Sequence, residues 1–115
     1  MKLPNGDQAI IPKSKITDYL LSESHPQGRY KAAFFNRFGF EPEFWKRLAL
    51  ALKRHAEVHT VDKIEDTPFG TRYTVEGGLI TQSGDHIMVR SVWFIDKGEH
   101  IPRFVTAYPL ERKDQ

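Results

Sequence analysis

Cysteine is absent from the 115-residue chain. That excludes disulfide staples and thiolate metal sites, and it suits the reducing cytosol. Long apolar runs are missing too. None approaches the ~20 residues that cross a bilayer as a helix, so no membrane partner is expected. The opening Met-Lys-Leu-Pro-Asn-Gly-Asp holds no apolar core of the kind a secretory signal needs, which points to a cytoplasmic protein. There is no phosphate loop, no dinucleotide fingerprint, no H-E-x-x-H pattern and no G-x-S-x-G elbow. No cofactor is therefore expected. Nor does one sign of charge dominate: 17 Lys and Arg stand against 15 Asp and Glu, a net charge of +2. That is mildly favourable to an anionic partner and no more.

What is present describes a globular chain. Charged residues make up 28% and hydrophobic residues 39%, an ordinary balance. The length predicts one domain, residues 1–115, with a single core that buries roughly two-thirds of the unfolded surface.

The chain reads in order as helices, then strands. Pro4-Asn5-Gly6-Asp7 signals a turn, and Ala9-Ile10-Ile11 a small edge strand ended by Pro12. Ser14 can cap a first helix over 15–21. A second helix is expected over 29–38 with Gly39 as its stop, and a third over 43–55, opened by Pro42. Phe44, Leu48, Ala51, Leu52 and Ala56 form the third helix's apolar stripe. Alternation then predicts strands over 58–64, 71–81, 85–96 and 103–110, with a bulge at Gly77-Gly78 and a hairpin turn at Ser83-Gly84-Asp85. The tail 111–115 reads as frayed. The fold class is α+β, with three N-terminal helices packed on one face of a roughly four-stranded antiparallel meander.

Asp85 to Asp96 is the longest apolar run and reads as the central strand. Val89, Ser91 and Trp93 point to one face; Met88, Arg90, Val92 and Phe94 point to the other. An arginine among apolar neighbours requires an internal carboxylate or an external anion, because an unpaired buried charge is costly. If the helices cover the Val89 and Trp93 face, Arg90 lies on the open face with Arg72, Thr74 and Glu76 beside it. Arg90 opposite Thr74 or Glu76 is then an ordinary cross-strand pair, or it is a phosphate site in which Glu76 or His25 moves a proton. On the last strand, Phe104, Thr106, Tyr108 and Leu110 are expected on one side, with the open side left undecided.

The loop His25-Pro-Gln-Gly-Arg-Tyr-Lys31 places His25, Arg29 and Lys31 at a helix entry. Cations are electrostatically misplaced there, which hints at a role beyond propensity. The bland reading is a solvated loop. His55 and His59 have the i, i+4 spacing of a metal-binding helix face, but no carboxylate completes a site. A helix-end histidine is the better reading, and no metal is expected.

Several short motifs carry a family resemblance. They are L-P-N-G at 3–6, D-Y-L-L at 18–21, H-P-x-G-R-x-K-A at 25–32, R-Y-x-V at 72–75, V-R-S-x-W at 89–93 and P-R-x-V-T at 102–106. In these the chain resembles a small bacterial domain family of unknown function linked to polymorphic toxin and toxin–antitoxin systems. That family is in turn similar to the barnase, EndoU, colicin and RelE ribonuclease group. The resemblance implies an active site on the open sheet face and metal-independent RNA cleavage through the ribose 2′-hydroxyl. His25, Lys31 and Arg90 would be catalytic. Arg29, Arg72, Glu76, Thr106 and Tyr108 would bind substrate. RNA and a cognate antitoxin or immunity protein are the implied partners. The alternative is a non-catalytic protein-binding module that uses a free sheet edge or an apolar area around Phe34, Phe35 and Trp45. A small-molecule enzyme is a third reading, with no substrate named by any motif. Oligomeric state is left open.

Overall fold

The computed structural model describes residues 1–110; the expected tail, 111–115, lies outside the described residues. A four-stranded antiparallel sheet in the order β1-β2-β3-β4 forms one layer. Its strands are β1 (Val61–Thr67), β2 (Gly70–Ile80), β3 (His86–Asp96) and β4 (Arg103–Pro109). The helical segments are α1 (Lys13–Lys15), which continues as a π-type turn over Ile16–Leu20, then α2 (Arg29–Arg37) and α3 (Trp45–Val58). Helical structure does not wholly precede the sheet contacts. Ile10 bridges Arg103 in parallel before α1 begins, with Phe104 N–H donating to the Ile10 carbonyl at 2.9 Å.

The core lies between the layers. Val75, Leu79, Val89, Trp93, Phe104 and Ala107 point inward from the sheet and meet Ile16, Leu20, Phe35, Leu48, Leu52 and Ala56. Trp93, the largest buried side chain, packs edge-on to Phe104 with ring centroids 5.3 Å apart. Helix α3 carries the expected stripe at Leu48, Leu52 and Ala56, but Phe44 leaves it. A 3₁₀ turn over Pro42–Phe44 changes the phase, and Phe44 is exposed under the Arg47 guanidinium. The helix also runs on to Val58, because Ala56 and Glu57 supply no breaker after His55. The first strand therefore starts at Val61 rather than at 58.

Two sheet irregularities differ from the reading of the sequence. No bulge occurs at Gly77-Gly78, where the β2–β3 register runs unbroken. Gly77 is needed for space: a Cβ there would lie 2.6 Å from the His59 ring. The bulge sits instead on β1 at Asp62, between the pairs Val61↔Val75 and Lys63↔Thr74. The Asp62 carboxylate accepts the Glu76 N–H at 2.7 Å, replacing a ladder bond. A second shift, on β4, separates Val92↔Thr106 from Trp93↔Phe104. The extra residue Val105 reverses the alternation, so Phe104 faces the core while Thr106 and Tyr108 face away. The expectation that Phe104, Thr106 and Tyr108 share one side is thereby corrected, and the open side of β4 is settled.

His55 lies in the last turn of α3, as expected, and is buried at 1% exposure. Its Nε2 lies 3.1 Å from the Gly77 carbonyl and 3.0 Å from that of Val89, and its Nδ1 is 3.0 Å from Ser91 Oγ. Two carbonyls at Nε2 require an N–H there, so Nδ1 is the acceptor of the Ser91 hydroxyl. Trp93 Nε1–H donates to the same Ser91 oxygen at 2.8 Å. Every polar atom of this buried chain is satisfied, which is why it is tolerated in the core.

Candidate active site on the open sheet face

Pairing register brings the site together. Glu76 on β2 faces Arg90 on β3, and Arg90 faces Tyr108 on β4. Arg90 Nε donates to Glu76 Oε2 at 2.5 Å, Arg90 Nη2 makes a second contact with that oxygen, and Nη1 donates to the Tyr108 hydroxyl at 3.0 Å. The arginine thus has its internal carboxylate. The pair is not sealed: the two side chains are 35% and 32% exposed. The hydrogen bonds to Tyr108 and Glu76 outweigh desolvation and hold the guanidinium firmly charged. A groove of about 420 Å³ opens over the pair, lined by Asp62, Arg72, Thr74, Glu76, Arg90 and Tyr108 among others.

The loop before α2 supplies the other half. Gly28 is buried, and a Cβ there would lie 2.0 Å from the Tyr19 carbonyl oxygen, so only glycine lets the two segments approach. That approach sets Lys31 beside Tyr19. Lys31 Nζ donates to the Tyr19 hydroxyl through a short bond and to Thr106 Oγ1 at 2.9 Å. The Tyr19 and Thr106 hydroxyls are themselves 3.1 Å apart. Burial pushes the Tyr19 phenol up, but the bonds from Lys31 and Thr106 and the lysine charge outweigh it, leaving the group below the ordinary tyrosine value.

Tyr108 joins the halves. The Lys31 ammonium lies 5.4 Å from the centroid of its ring, and the Arg90 guanidinium carbon 5.3 Å. A continuous contact path therefore runs from Glu76 through Arg90, Tyr108 and Lys31 to Tyr19. Of the residues singled out from the sequence, Lys31, Arg72, Glu76, Arg90, Thr106 and Tyr108 come together here. His25 stands behind Tyr19, with ring centroids 4.9 Å apart and edge-on geometry. Its Nδ1 accepts the backbone N–H of Gln27 at 3.0 Å and of Gly28 at 3.1 Å. Arg29 is apart from the cluster: it is exposed and lies over the Tyr30 ring. Tyr19 and Asp62 were not legible as site residues. Tyr19 sits on the core stripe of its helix, and its hydroxyl, which must find a partner when half-buried, was the available signal.

A second groove, of about 530 Å³, lies between α3 and the end of β2, lined by Phe40, Leu50, Ala51, Arg54, Val58 and Ile80 among others. It has an apolar floor, and no carboxylate lines it. Phe34, Phe35 and Trp45 do not form the exposed apolar area expected of them. Phe35 is fully buried and the other two are half-buried. Leu50, Val58 and Ile80 are the exposed apolar residues of this region.

Comparison with known proteins agrees with the architecture. The family model described as a domain of unknown function, DUF6883, matches residues 2–111. No curated protein matches the chain. A chain of a contact-dependent growth inhibition toxin–immunity protein complex from Klebsiella pneumoniae 342 superposes with a TM-score of 0.71 at 17% identity, over 88% of this chain and 99% of that one. At that identity the likeness is one of fold.

Proposed function

The chain belongs to the DUF6883 family of domains of unknown function, and we propose that it is a single catalytic domain of a bacterial toxin system that cleaves RNA without metal. The observation that carries this reading is the meeting of Glu76, Arg90 and Tyr108 in one open groove, with Lys31 against the Tyr108 ring beside it. Such a set suits phosphodiester cleavage by the neighbouring 2′-hydroxyl. Glu76 takes the hydroxyl proton. Arg90 and Lys31, both close to the Tyr108 ring, hold the phosphate as negative charge builds on it. A guanidinium already oriented by Glu76 and Tyr108 loses little freedom when phosphate binds. Thr106 and Tyr108 orient the phosphate by hydrogen bonding. Arg72, which lines the groove, and the exposed Arg29 contact the flanking backbone. His25 keeps Tyr19 in place. The fold shared with a chain of a toxin–immunity complex supports a place in that kind of system and a cognate protein partner.

The test is direct. Purified protein is incubated with total RNA in EDTA, and the new ends are mapped. Fragments ending in 2′,3′-cyclic phosphate support the reading, and Glu76→Gln should abolish them.

One observation favours a second reading, a non-catalytic immunity-like binding module. The groove between α3 and β2 exposes Leu50, Val58 and Ile80 with Arg54 at its rim, a surface suited to a protein partner. Intact RNA together with a stable stoichiometric complex with the protein encoded beside it would favour this module.

A further inference from the structure

We infer that Tyr19 is the general acid of the cleavage reaction, donating its phenolic proton to the departing 5′-oxygen. The inference rests on the RNA-cleaving reading and adds the residue that reading leaves out. Glu76 can take the 2′-hydroxyl proton, while the bonds to Tyr108 and Glu76 hold the Arg90 guanidinium charged. The leaving oxygen still needs one.

The hydrogen bonds of the Lys31 cluster are consistent with it. Lys31 Nζ donates to both the Tyr19 and the Thr106 hydroxyls. Those two hydroxyls share one further contact, at 3.1 Å, which uses one of their two protons. The other proton has no acceptor inside the cluster. When Thr106 donates to Tyr19, that spare proton is the phenolic one, free to meet a bound ligand. The ammonium beside the phenol stabilises the phenolate left behind, which makes the proton easier to give. Placement fits as well. Glu76 bonds Arg90, whose Nη1 reaches the Tyr108 hydroxyl at 3.0 Å, and Tyr19 bonds Lys31, whose ammonium lies 5.4 Å from the centroid of the same ring. Base and acid therefore flank the cations.

The step balances. The 2′-oxygen gives its proton to the Glu76 carboxylate and forms a bond to phosphorus. The phosphorus–5′-oxygen bond breaks, and the 5′-oxygen takes the proton from Tyr19. The products are a 2′,3′-cyclic phosphate and a 5′-hydroxyl. Water then carries the proton from Glu76 back to the Tyr19 phenolate.

The experiment compares two RNA oligonucleotides spanning the mapped cleavage site. One carries the natural 5′-oxygen, the other a bridging 5′-sulfur, which leaves without a proton. Tyr19→Phe should slow the natural substrate by ~100-fold or more and the sulfur substrate by less than ~5-fold. Equal slowing of both would make Tyr19 a positioning residue and overturn the proposal. No slowing of either would overturn it too. Wild-type protein that leaves RNA intact would instead remove the underlying reading, and the acid role with it. Should Tyr19→Phe fail to fold, 3-fluorotyrosine incorporated at position 19 keeps the ring and its contacts. It should move the alkaline limb of the rate profile to lower pH, and an unmoved limb would overturn the assignment.

Discussion

Arg90 and Glu76 face each other across the β2–β3 ladder with Nε and Oε2 2.5 Å apart. One ion pair could hold the sheet together or await a phosphate, and its exposure separates the two. Both side chains are about one-third exposed, and ion pairs this open contribute little to stability, typically ~1 kcal/mol or less. Arg90→Ala should therefore lower RNA cleavage by ~100-fold or more. The loss of stability in a urea titration should stay within about 1 kcal/mol. A large loss of stability with activity preserved would make the pair structural.

His25 and Tyr19 separate by the same logic. His25 Nδ1 satisfies two backbone N–H groups, as a capping side chain does. His25→Ala should cost about 1 kcal/mol in stability. Cleavage should fall much less than in Tyr19→Phe, and His25→Asn, which keeps an acceptor, should recover most of the lost stability. If His25→Ala abolishes cleavage in a fully folded protein, the histidine acts in the chemistry itself.

Gly28 brings the loop against the first helical segment at Tyr19. A methyl group there would sit 2.0 Å from the Tyr19 carbonyl oxygen. Backbone cannot yield as a flexible side chain can, so Gly28→Ala should destabilise the fold by about 3 kcal/mol or more and displace Lys31 from Tyr19. A thermal melt close to wild type would contradict this packing.

Stability should depend on pH through His55. Burial pushes this imidazole's pKa down, and the repulsion of His59 adds to the shift. The unfolded chain takes up the proton first as pH falls below about 6.5, and the folded protein resists it. Stability from this group is thus fully present above that pH and declines below it. His55→Gln should flatten the decline in urea titrations between about pH 7 and pH 5. An unchanged slope would show that His55 is not the group responsible.

Much of this molecule was legible from its residues alone. The apolar run from Asp85 to Asp96 marked the central strand, and its alternation placed Arg90 on the open face beside Glu76. Leu48, Leu52 and Ala56 marked the third helix. The illegible parts share a physical cause. The β4 bulge at Val105 inserts one residue into a period of two and turns Tyr108 toward Arg90, and nothing in Arg-Phe-Val-Thr-Ala-Tyr announces it. The Gly77-Gly78 pair suggested a bulge where Gly77 makes room for the His59 ring just past α3. Tyr19 met Thr106 across 87 residues, a contact that local pattern does not encode.

The most direct measurement pairs wild-type protein with Glu76→Gln on mapped RNA in EDTA, reading the chemical nature of the new 3′ end. We expect 2′,3′-cyclic phosphate ends from wild type and a loss of ~100-fold or more in the variant, with its melting temperature nearly unchanged. Undegraded RNA with wild type, or equal cleavage by both proteins, would contradict the central claim that the groove over Glu76 and Arg90 is a site of chemistry.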